Sequence, residues 1–78
     1  MPKVKYKEMW DEVFASGKYL TQTAKITKLA QMLYSSRESD DYSKDDAVWE
    51  ALERYEDMSG RYMDPTHEQF EDFKSSIH

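Results

Sequence analysis

The chain contains no cysteine, only two glycines and two prolines, and no long apolar run. Without cysteine there is no disulfide framework, no thiolate metal site and no cysteine nucleophile. The two glycines, Gly17 and Gly60, stand far apart, which excludes a glycine-rich loop for cradling phosphate. No segment approaches the roughly 18 apolar residues of a membrane span, and the Met1-Pro2-Lys3 start lacks a signal peptide's apolar stretch. The expectation is therefore a complete, soluble, cytoplasmic protein with no membrane association. Seventy-eight residues and 9.3 kDa allow one helical domain, residues 1–78. A domain of that size buries about 60% of its unfolded surface, so its core is thin.

What the chain has in quantity is charge, unevenly placed. Residues 1–37 carry seven basic side chains against three acidic ones, a net +4. Residues 38–78 carry four against thirteen, a net −9, and the whole chain is −5. An acidic chain is repelled by phosphate, so direct nucleic-acid binding is not expected. The surplus points toward basic proteins as partners.

Four helical segments are legible. Tyr6, Met9, Trp10, Val13 and Phe14 recur at three- and four-residue steps, which predicts a helix from about Val4 to Ala15, stopped by Ser16-Gly17. Ile26, Leu29, Ala30 and Leu33 define a second helix with an indistinct start near Lys18–Thr23, because Thr21, Thr23, Ile26 and Thr27 lower helix propensity. An acidic, serine-rich connection covers Arg37–Lys44. Ser39, followed by two aspartates, is its one candidate phosphorylation site. Ser43-Lys44-Asp45-Asp46 places a serine cap before a third helix that runs to Met58 or Ser59 and stops at Gly60. Asp64-Pro65 reads as the start of a fourth, with Phe70, Phe73 and Ile77 on its apolar stripe.

Four amphipathic helices can bury their stripes only against one another. The expected fold is all-α, a compact bundle or orthogonal array of about four short helices. The expected core is Trp10, Val13, Phe14, Leu20, Ile26, Leu29, Leu33, Val48, Leu52, Tyr55, Met58, Phe70, Phe73 and Ile77.

One segment exceeds the needs of folding. At about 100° per residue, Ala47, Val48, Ala51, Leu52, Tyr55 and Met58 form one face of the third helix. Asp45, Asp46, Glu50, Glu53, Glu56 and Asp57 fill the opposite arc, and Trp49 lands among them. Like charges four residues apart, such as Asp46–Glu50 and Glu53–Asp57, destabilise a helix. A large aromatic ringed by charge has the anatomy of a binding hot spot. The alternative is that Trp49 packs beneath a neighbouring segment while the acids pair with Lys3, Lys5, Lys7 or the lysines of the second helix.

No catalytic reading emerges, and the expectation is a non-enzyme with no cofactor. His67 and Glu71 share a helix face but supply only two ligands, too few for a metal site. A calcium loop from Asp41 fails because Asp46 replaces the turn glycine and Leu52 the bidentate glutamate. A helix-turn-helix would present Asp45, Asp46 and Glu50 to phosphates, which is electrostatically backward. The leading expectation is a small acidic protein-binding module that acts by occupancy. It would serve as an inhibitor mimicking nucleic-acid charge on a basic surface of a larger protein, a style suited to a virus or mobile element. The competing expectation is a self-associating or accessory structural subunit, with Met32, Tyr34 and Tyr62 as interface residues.

Overall fold

Helix α1 (Tyr6–Trp10) runs directly into a π-helical segment (Asp11–Ala15), followed by α2 (Gln22–Ser35), α3 (Lys44–Ser59) and α4 (His67–Ser75). The computed structural model describes residues 6–37 and 39–77, and among these there is no strand. The all-α expectation holds. The radius of gyration is 11.6 Å, against about 11.5 Å for a folded domain of this length.

Each helix begins and ends for a local reason. Ser43 Oγ accepts the Asp46 N–H at 3.2 Å while Asp46 Oδ2 accepts the Ser43 N–H at 3.0 Å, a complete capping box on α3. Gly60 closes the same helix in the left-handed conformation (φ 75°), its N–H donated to the Glu56 carbonyl at 2.8 Å. Gly17, also at φ 75°, ends the first helical stretch as its position predicts. The start of α2 settles at Thr21, whose Oγ1 accepts the Ala24 N–H at 3.0 Å.

The start of α4 differs from the expected Asp64-Pro65. Thr66 is the cap, its Oγ1 accepting the Gln69 N–H at 3.2 Å, and Gln69 Oε1 in turn accepts the Thr66 N–H at 2.9 Å. A reciprocal Thr-x-x-Gln box satisfies two orphan amides, whereas a lone aspartate cap satisfies one. The expected first helix began near Val4, and residues 4 and 5 lie outside the described residues.

The core lies mainly between α2 and α3. Ile26, Leu29, Ala30 and Leu33 of α2 meet Ala47, Val48, Ala51, Leu52, Tyr55 and Met58 of α3, all buried. Three of these are alanines, which let the two backbones approach closely. Met9 and Val13 close the core from the first helix, and Phe73 and Ile77 from the C-terminal end. Gln31 Nε2 donates to the Ser76 carbonyl at 2.9 Å and ties α2 to the end of α4.

Two residues expected in the core are not there. Trp10 is 40% exposed and Leu20 is 84% exposed. In the first helix Met9 and Val13 take the inward positions. The wider π turn leaves Trp10 stacked on Phe14, ring centroids 4.8 Å apart, at the core's margin. Leu20 sits in the extended link before α2, where no helical periodicity aims it inward. Phe14 and Phe70 are only half-buried and pack on the core from outside.

Candidate functional site

The acidic face of α3 divides into two halves with different surroundings. Toward the N-terminus, its acids are engaged within the chain. Asp45 Oδ1 pairs with Lys74 Nζ of α4 at 2.9 Å, and the same lysine reaches Glu71 at 3.1 Å. These two carboxylates raise the Lys74 pKa above the ordinary lysine value. Asp46 completes the capping box, where its charge also complements the positive end of the helix dipole. Glu50 Oε1 accepts the Tyr42 hydroxyl at 2.8 Å, and its Oε2 stands 3.5 Å from Arg54. The connection before α3 is thereby pinned to the helix it precedes. Partial burial, and then the Glu50 carboxylate it donates to, push the Tyr42 pKa well above the ordinary tyrosine value.

Toward the C-terminus the same face is open. Glu53, Glu56 and Asp57 are exposed, and among the described residues none of them has a cation within salt-bridge distance. Glu56 and Asp57 occupy the last turn of α3, which carries no basic residue. There the negative end of the helix dipole opposes them, and Glu53 repels both at three- and four-residue spacing. Three uncompensated acids thus fall on one stretch of helix.

Trp49 stands at the boundary between the halves. It leans on Phe70 of α4, ring centroids 4.9 Å apart and tilted by 45°, and still exposes 52% of its surface. Neither expected placement describes it fully, because one side is packed and the rest is open. Asp45 meets Lys74 and Trp49 meets Phe70, so α3 and α4 run antiparallel. Glu53 and Glu56 lie one and two turns further along the same stripe as Trp49.

The lysines expected to neutralise this face are largely engaged elsewhere. Lys7 pairs with Asp11 at 2.9 Å and Lys18 with Glu12 at 3.7 Å, while Lys25 donates to the Tyr19 carbonyl at 2.7 Å. Lys3 and Lys5 lie outside the described residues. His67 is fully at the surface, 3.8 Å from Glu71. Among the described residues no group of three or more His, Cys, Asp or Glu side chains is arranged to hold a metal. Of the residues considered for self-association, Met32 and Tyr34 pack partly against the core, and only Tyr62 is largely exposed. No helix of the described residues is long and apolar enough to cross a membrane.

Phe70 and Lys74 were absent from the sequence-derived site, although they shape it. Their four-residue spacing on one helix face was the available signal, but only the antiparallel packing of α4 on α3 brings them to Trp49 and Asp45. No family model matches the chain, and comparisons with curated proteins and with solved structures return no match.

Proposed function

We propose that this chain is a small acidic protein-binding module that works by occupancy, with no catalytic activity of its own. Its docking face is the outer side of α3. Trp49 is the anchor, and Glu53, Glu56 and Asp57 are the charged rim, with Asp45, Asp46 and Glu50 extending the negative field while serving the fold. The partner is a basic surface of a larger protein. Where that surface ordinarily holds nucleic acid, the module competes as a charge mimic and inhibits, a mechanism suited to a virus or mobile element acting on a host.

The observation that supports this reading is the half-exposed Trp49 on the same face as three carboxylates with no cation in salt-bridge distance among the described residues, two of which also oppose the helix dipole. Folding alone favours lysine at those positions, and a rim of matched charge steers association with a basic partner. Immobilised protein is the test, challenged with cell extract at rising salt and with duplex DNA as competitor. The proposal predicts a retained basic protein that is released by DNA and salt. Trp49→Ala weakens its retention by about 2 kcal/mol or more, roughly thirtyfold. Capture that is indifferent to Trp49→Ala and to Glu53→Lys/Glu56→Lys refutes the proposal.

A further inference from the structure

We infer that the open half of the α3 face takes an arginine side chain of its partner, the guanidinium lying on the exposed part of the Trp49 indole while Glu53 and Glu56 accept its N–H groups. This inference rests on the docking proposal above and adds the identity of the group recognised.

The chain itself displays the pattern on the other half of the face. There α4 supplies an aromatic and a cation one turn apart: Phe70 against Trp49, and Lys74 against Asp45. Because α4 runs antiparallel and begins at His67, one turn before Phe70, it ends short of the last turns of α3. The aromatic–acidic stripe continues past the helix that covers it. Glu53 and Glu56 stand about 6 and 10 Å beyond Trp49 along the axis, at 1.5 Å per residue.

Arginine fits this stripe better than lysine for a geometric reason. Its guanidinium is a plane that stacks on a ring through its face and donates hydrogen bonds from its edge, so the two interactions do not compete. An ammonium is a point charge that must share itself between ring and carboxylate. Within this molecule the arginine–aromatic pair is also the closer one. The Arg37 guanidinium carbon sits 4.2 Å from the Tyr34 ring centroid, whereas Lys25 over Phe14 and Lys74 over Phe70 both stand off at 5.9 Å.

The test uses the full chain and two peptides of equal length and charge, hexa-arginine and hexa-lysine, each with the same neutral dye and followed by fluorescence anisotropy at low and moderate salt. The expected result is hexa-arginine binding about twofold to fivefold tighter, the value of one exposed cation–aromatic stack. Trp49→Leu should abolish that preference, and Glu53→Gln/Glu56→Gln should weaken both peptides. The glutamine variant removes only repulsion within α3, so its folding is secure, and circular dichroism checks the leucine variant. Equal affinity for the two peptides, or a preference that survives Trp49→Leu, overturns the arginine inference and leaves the docking proposal standing. Absence of salt-dependent binding by either peptide overturns both.

Discussion

Replacing Asp57 by lysine should make this protein more stable, and the expected gain can be worked from the structure. Asp57 lies in the last turn of α3, is exposed, and faces Glu53 at four-residue spacing; no cation among the described residues is within salt-bridge distance of it, the neighbouring Arg54 being turned to Glu50 at 3.5 Å. Removing the Glu53–Asp57 repulsion recovers about 0.2–0.5 kcal/mol, and the attraction that replaces it adds a similar amount. The charge at the C-terminal end changes from opposing the helix dipole to complementing it, worth about 0.3–1 kcal/mol for each half of the reversal. After screening at moderate salt, a net gain of about 1–2 kcal/mol remains, or a rise in Tm of roughly 5–10 °C for a domain of this size. Thermal unfolding followed by circular dichroism reads it directly. The gain should shrink in about 1 M salt, where the Debye length falls to roughly 3 Å. Asp46→Lys serves as the control of opposite sign, because it breaks the capping box and places a cation at the positive end of the dipole. A Tm for Asp57→Lys that is unchanged or lower at low salt refutes the argument that these acids are held against the interest of the fold.

Other outcomes follow from the same structure. Leu52→Ala, which empties a nearly fully buried site between α2 and α3, should cost about 2–5 kcal/mol by denaturant unfolding. Thr66→Ala should cost about 0.5–2 kcal/mol and fray α4, which amide exchange at Gln69 and Phe70 would show, whereas Asp64→Ala should change little. Tyr42 has its pKa raised in the folded state, so the unfolded chain loses that proton first as pH rises. Its contribution is complete below about pH 10 and is progressively lost above it, with Lys74 adding to the same decline. Tyr42→Phe should flatten the loss of stability above pH 10 and remove the latest step of the tyrosinate absorbance titration.

The helices and their faces were legible because they depend on local spacing. The inward residues of α2 and α3 follow the 3.6-residue period, and the Ser43–Asp46 box and the Gly60 stop need only a few consecutive residues. Local rules also account for the misplaced start of α4, where two capping signals two residues apart competed and the one that satisfies more amides prevailed. Trp10 was misplaced because the first helix carries more apolar side chains than its inward face can bury, and a π turn decides which of them stay outside. Of the acidic face, the sequence showed which residues share a surface but not their partners. Lys74 reaches Asp45 across 29 positions of chain, and Tyr42 reaches Glu50 by folding the connection back onto its own helix. Those contacts separate the acids that serve the fold from the three that do not.

Acrylamide quenching of Trp49, measured in a Trp10→Phe variant of retained helicity, before and after addition of hexa-arginine at low salt, bears most directly on the docking face. Trp49 should be readily quenched in the free chain, become protected as the peptide binds, and be released again as salt is raised. A Trp49 that is already protected in the free chain, or whose quenching does not respond to the peptide, contradicts the account.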